Sequence, residues 1–217
     1  MNIIAINGSA RKGWNTHLLL QKALDGAKSA GAETELVNLY DLNFKGCVGC
    51  LACKSKDESK RGHCALRDDL SSVLERIADC DALIIGSPIY FSEVTGETRS
   101  FLERLLFPNI SYDKDRTPIT PRRIPNAFIF TMNVGEEMFA QVGYNALFDR
   151  YKMLLGNIIG ESENLIVTET WQTKDYDSYH MSMFDGAARK QRREDVFPQD
   201  LEKAFQIGVR LGGGGGE

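Results

Sequence analysis

Residues 2–20 read NIIAINGSARKGWNTHLLL, and the architecture follows from this stretch. It opens with an apolar run at 3–6, too short for a helix and flanked by asparagines. A Gly- and Ser-led turn comes next. Leu20, Ala23, Leu24 and Ala27 then recur at three- and four-residue steps, which places them on one helix face. Gly31 supplies a left-handed helix stop. A strand, a turn and a helix in this order begin a parallel α/β unit.

The same alternation continues along the chain. Residues 33–39 read as a strand near a sheet edge, and the continuously apolar 82–85 as a central one. Ser87-Pro88 should end that central strand, because proline cannot extend the ladder. Further strands are expected at 126–132, behind Pro125, and at 164–168. Helices are expected near 68–78, 96–106, 138–155 and 198–211. Five β units joined by helices predict an α/β fold: an open five-stranded parallel sheet with helices on both faces. Ligands of such sheets bind at the carboxyl ends of the strands. Loops 8–16, 87–96 and 131–137 therefore border one crevice. No repeat or linker divides the chain, so a single domain over 1–211 is expected, with a cysteine-rich excursion at 40–66 and an extended arm at 170–195. The glycine tail at 212–217 should be disordered.

Composition narrows the class of protein. Of 217 residues, 42% are hydrophobic and 26% charged, which excludes disordered and collagen-like chains. A net charge of −4 gives no field to gather nucleic acid or anionic lipid. The apolar runs are too short to cross a bilayer, and no basic leader precedes the first. With five cysteines and no export signal, a cytoplasmic protein with thiols in metal or redox work is expected.

Two loops carry the chemistry. In the first, Ser9, Arg11, Asn15 and Thr16 surround a turn that aims backbone N–H groups and a helix N-terminus at an anion. Trp14 and Asn15 stand where a Walker A loop has Lys and Ser/Thr, so a monophosphate cradle fits better than a nucleotide-hydrolysis site. The alternative is an ordinary turn with Asn15 as helix N-cap. The second loop lies in GSPIYFSEVTGETRSFLE, residues 86–103. Ile89, Tyr90 and Phe91 form an apolar shelf at the sheet edge, to be covered by a flat ligand, by the protein itself or by a subunit contact. Trp14 suits two places, over a bound ligand or at a subunit contact.

A phosphate grip beside an apolar shelf describes a site for a flat ring carried on a phosphate. The two segments together resemble the flavodoxin-like NADPH-dependent FMN reductase family, and within it the iron–sulfur flavoprotein branch, over residues 1–170. The resemblance implies a three-layer flavodoxin-like sandwich with strand order 2-1-3-4-5. It implies FMN held by Ser9, Arg11, Asn15 and Thr16 at the phosphate and by Pro88, Ile89, Tyr90 and Phe91 at the ring. Thr131 and Asn133, in TMNVG, are candidates from the third loop. No catalytic side chain is required, since FMN carries the chemistry. NAD(P)H or ferredoxin would donate electrons, and a quinone, flavin, oxygen or small electrophile would accept them, in a homodimer or homotetramer.

Cys47, Cys50 and Cys53 form C-x2-C-x2-C, and Cys64 follows after the charged stretch KSKDESKRGH. Such thiolates can ligate a [4Fe-4S] cluster, and the run resembles the cysteine motif of the iron–sulfur flavoproteins. The stretch before Cys64 is longer than that motif leads one to expect. Free or redox-paired thiols and a zinc site stay open as alternatives. His63 reads as a solvated loop residue and Cys80 as a small buried apolar one. ARKQRRED at 188–195 is too interleaved with acids to bind nucleic acid and reads as a solvated loop. The aromatics of 170–195 suit an arm against a neighbouring subunit or over the flavin. Two other functions remain: a pure electron carrier of flavodoxin type, which the weak net charge disfavours, and a non-redox regulator.

Overall fold

The computed structural model describes residues 1–114, 119 and 122–213. Its strands are β1 (Asn2–Asn7), β2 (Glu33–Asn38), β3 (Ala82–Tyr90), β4 (Glu93–Val94), β5 (Asn126–Thr131) and β6 (Ser162–Val167). Five of them pair in parallel in the order β2-β1-β3-β5-β6, and β4 folds back antiparallel on the end of β3. Counted over the parallel strands alone, this is the expected 2-1-3-4-5. The helices are α1 (Asn15–Ser29), α2 (Asp69–Asp79), α3 (Gly96–Leu106), α4 (Phe139–Val142), α5 (Tyr144–Ile158), α6 (Gly186–Asp195) and α7 (Phe197–Gly212). Among the described residues no helix is long and apolar enough to cross a membrane.

Strand periodicity sorts the core into two layers. Ile4 and Ile6, Leu83 and Ile85, and Phe128 and Phe130 face α2, α3 and α5. Their neighbours Ile3, Ala5, Ala82, Ile84, Ala127 and Ile129 face α1 and α7. The first face takes the large side chains, with Phe128 and Phe130 stacked at 4.1 Å. Alanines on the second face let its helices sit close. Gly26 and Gly208 continue the same economy between α1 and α7: a Cβ on Gly208 would lie 1.7 Å from the Ala23 carbonyl oxygen.

Several expectations need correction. β3 does not end at Pro88 but runs on to Tyr90. Its pairing with β1 stops at Gly86, so the missing Pro88 N–H falls where that neighbour has already ended, while β5 still pairs across at Thr131. Residues 138–155 are not one helix: Gly143, at φ 75°, breaks α4 from α5. The 188–195 segment is not a loop. It lies in α6, capped by the Asp185 carboxylate, which accepts from the Ala187 and Ala188 N–H groups. Trp14, not Asn15, occupies the N-cap of α1. Gly212 ends α7 and Gly213 follows it as a turn, and residues 214–217 of the expected tail lie outside the described residues.

Asp68 ties α2 to α3. Its side chain accepts from Leu70 N–H in a reciprocal cap with Ser71, and it pairs with Arg104 at 2.5 Å. Burial alone would raise this carboxyl, but the Arg104 hydrogen bond and charge, helped by backbone N–H groups, hold it below its ordinary value.

Gly208→Ala should cost about 1–3 kcal/mol, because backbone rather than a flexible side chain must give way. A lower urea midpoint checks this, and an unchanged one contradicts it. Asp68 sets an acid limit. A carboxyl lowered on folding contributes its full stability above its unfolded value of about 3.9, and loses it as pH falls through the lower folded value. Wild-type melting temperature therefore drops below about pH 4. Asp68→Asn should begin lower and fall less steeply, and parallel curves would contradict the pairing.

Candidate functional site

β1 ends at the crevice with Asn7, whose buried side chain shapes the following turn. Its Oδ1 accepts from Ser9 N–H at 3.1 Å, and its Nδ2 donates to Asn38 Oδ1 at 2.9 Å. Ser9 is buried, and its hydroxyl accepts from Arg11 N–H at 3.2 Å. Gly13, at φ 74°, turns the chain into α1. No side chain caps that helix, and its first turn contains no acid. An open helix N-terminus edged by Ser9, Arg11 and Asn15 has the electrostatics of an anion site.

Gly8 pins this turn to the second loop. Gly8 N–H donates to the Gly86 carbonyl at 2.8 Å, and Thr95 Oγ1 donates to the Gly8 carbonyl at 2.8 Å. Thr95 is also the N-cap of α3, and its N–H donates to Ser87 Oγ at 3.1 Å. Between them, β3 and β4 form a hairpin with Tyr90 opposite Glu93. Its two turn residues, Phe91 and Ser92, have φ of 51° and 60°. Such tight hairpin turns favour Gly or Asn, and a phenylalanine there is strained. Phe91 is also fully exposed, and Tyr90 is half-exposed beside it. Pro88 and Ile89, partly buried, stand in β3 itself.

The third loop closes the group. Thr131, at the end of β5, shares a 2.8 Å hydrogen bond with the Thr16 hydroxyl, and both are buried. Asn133 donates to Gln172 Oε1 at 2.8 Å, and its own Oδ1 is buried without a partner. The structure thus brings all three loops to one sheet edge.

Partners that the sequence did not reveal come from beyond β6. The Trp171 carbonyl accepts from Asn15 Nδ2 at 2.9 Å, and the Gln172 carbonyl from Arg11 at 2.6 Å. The Trp171 ring tilts against Trp14 at 6.2 Å, with Arg11 stacked 3.6 Å over the other indole. Arg193 of α6 donates to Asn15 Oδ1 at 2.8 Å and lies 3.8 Å over the Phe197 ring. Burial and the neighbouring Arg192 hold the Arg193 guanidinium below its ordinary pKa. Two aromatic residues followed by a basic stretch were the available signals, but nothing local pairs them with residues about 160–180 positions earlier.

The four clustered cysteines gather at the C-terminal end of α3. Cys47, Cys50, Cys53 and Cys64 line one small cavity with Leu51, Leu66, Phe107 and Arg104. Cys53 is buried, Cys64 is partly so, and Cys47 and Cys50 are exposed. Cys47 N–H donates to Glu103 at 3.2 Å, which docks the excursion on α3. Lys54 donates to the carbonyls of Phe107, Pro108 and Ile110, tying down the chain beyond that helix. Burial pushes the Cys53 thiol up, with the Lys54 charge opposing. Among the described residues no three His, Cys, Asp or Glu side chains are placed to hold a single metal ion. His63 is exposed, and Cys80 is buried with its thiol pushed up to about 11 by burial. A larger cavity, about 670 Å³, lies between α2 and α3 and also touches Cys64, so neither cavity lies at the crevice.

The family model for NADPH-dependent FMN reductase matches residues 1–118, just over half the chain. An iron–sulfur flavoprotein of Archaeoglobus fulgidus is 39% identical over 104 residues, 48% of each protein. Another, of Methanocaldococcus jannaschii, is 36% identical over 104 residues, 48% of this chain and 51% of that protein. The chain therefore spans about half the length of the curated relatives it matches. The NAD(P)H:quinone oxidoreductase from Methanothermobacter marburgensis shares the fold, with a TM-score of 0.68 at 18% identity over 97% of this chain and 98% of that one. The sheet order and these neighbours make the fold flavodoxin-like. The chain belongs to the NADPH-dependent FMN reductase family.

Proposed function

We propose that the protein is an FMN-dependent oxidoreductase, taking electrons from NAD(P)H or ferredoxin and delivering them to a quinone, flavin, oxygen or small electrophile. The observation that carries this reading is the pairing, through Gly8, of an uncapped helix N-terminus with a strained hairpin presenting an exposed Phe91. One part suits a phosphate, and the other suits the face of an aromatic ring. The partnerless Asn133 Oδ1 adds a buried acceptor awaiting a donor.

When bound, FMN supplies the hydride and electron chemistry. The chain's own residues hold and orient. Ser9, Arg11, Asn15 and Thr16 grip the phosphate, with Arg11 and Asn15 giving up the carbonyls of Gln172 and Trp171 to do so. Thr16 and Thr131 share one hydrogen bond, so the second hydroxyl proton of the pair stays available. Pro88, Ile89, Tyr90 and Phe91 support the ring, with Thr131 and Asn133 closing the third side. Two exposed aromatics at one hairpin also favour a homodimer or homotetramer in which a second copy shields that edge.

The residues around the cysteine cavity fit a [4Fe-4S] cluster. Four thiols line one cavity, which is the donor set such a cluster takes. Cys47, Cys50, Cys53 and Cys64 would hold the cluster, which supplies one-electron storage.

FMN titration of the apoprotein by flavin fluorescence tests the site. Ser9→Ala with Thr16→Ala should weaken binding at least tenfold, since each hydrogen bond to a charged phosphate is worth about 1.5–3 kcal/mol. Unchanged affinity would place the phosphate elsewhere. Steady-state NAD(P)H oxidation with a quinone should be catalytic in FMN-loaded protein, whereas no turnover would favour an electron carrier.

A further inference from the structure

Cys64 is separated from Cys53 by ten residues, a charged and mostly exposed stretch. Spacing does not explain how its thiol reaches the cavity, but Arg104 does. This arginine of α3 is 1% exposed, among the most deeply buried large side chains of the protein. Its Nε donates to Cys64 Sγ at 3.3 Å. Nη1 donates to Asp68 at 2.5 Å and to the Lys45 carbonyl at 3.2 Å, and Nη2 to the Leu66 carbonyl at 3.4 Å. Lys45 precedes the first cysteine of the cluster, and Leu66 and Asp68 follow the last. One planar fork therefore spans both banks of the excursion and turns its Nε–H to sulfur.

We propose that Arg104 is a positioning residue for an iron–sulfur cluster on Cys47, Cys50, Cys53 and Cys64, donating from Nε to the fourth sulfur and raising the cluster's reduction potential. The inference rests on the cluster reading above. Its physical basis is that the reduced cluster carries one more negative charge. A hydrogen bond to a ligating sulfur, from a buried cation, stabilises that state more than the oxidised one. Lysine keeps the charge but has no fixed fork, so it cannot hold Asp68 and two carbonyls while aiming an N–H at sulfur. A guanidinium that merely braced α3 against Asp68 would change stability when replaced and leave the potential alone.

The test uses full-length protein purified anaerobically, with iron and sulfide analysis and a redox titration followed by electron paramagnetic resonance. Arg104→Lys should keep its flavin and show a lower midpoint potential. At the wild-type midpoint its reduced-to-oxidised ratio should fall about tenfold, the effect of losing one charge-assisted hydrogen bond. Arg104→Gln, shorter and uncharged, is read in the same way, so failure of one variant to fold leaves the other to decide. Loss of iron from a variant that keeps its circular dichroism and flavin also supports the role. A loaded variant with the wild-type potential overturns it. Wild-type protein free of iron overturns the cluster reading itself, an outcome distinct from iron-loaded variants with unshifted potentials.

Discussion

The whole arrangement depends on how closely Gly8 approaches α3. A Cβ at Gly8 would sit 1.8 Å from Thr98 Oγ1 and 3.0 Å from the Gly86 carbonyl oxygen, so only glycine fits. That approach lets Thr95 reach the Gly8 carbonyl and Gly8 reach Gly86. The first loop is thereby fixed against the hairpin, and the start of α3 against both. The other end of α3, about 14 Å along its axis at 1.5 Å per residue, carries Glu103 and Arg104 to the cysteine cavity. One helix thus sets the relation between the two candidate redox sites. No large side chain mediates this, since two threonine hydroxyls and a missing methyl group do the holding.

Much of the fold was legible because the strands obey simple periodicity. Continuous apolar runs marked β1, β3 and β5, and weak alternation marked β2 as an edge. What escaped detection had a physical reason in each case. Pro88 would end a strand with neighbours on both sides, but β1 has ended by then. Helix α6 buries none of its residues and so carries no apolar stripe to mark it, although Asp185 ahead of two alanines is a good start signal. Gly143 divides α4 from α5 by adopting a left-handed conformation that periodicity does not reveal.

The candidate site was legible in its local parts and hidden in its long-range ones. Ser9, Arg11, Asn15 and Thr16 stand together because they are consecutive with a strand end and a helix start. Ile89, Tyr90 and Phe91 stand out together as an apolar shelf, and the structure adds that the Phe91 backbone is strained. The reach of Trp171, Gln172 and Arg193 back to that loop depends on where β6 ends beside β5, and on α6 turning towards α1. Arg104 illustrates the same limit. In the sequence it is one more basic residue on an amphipathic helix, and only the folded excursion makes it the hub of four acceptors.

The central claim is that the crevice between the 8–16 turn and the 87–95 hairpin receives a flavin. A crystal structure of the protein grown with FMN examines it most directly. The account predicts density for a phosphate at the N-terminus of α1, within hydrogen-bonding reach of Ser9, and a planar tricycle against residues 88–91. A crevice still bridged by Trp171 and Gln172, with the flavin bound elsewhere or absent, would contradict it.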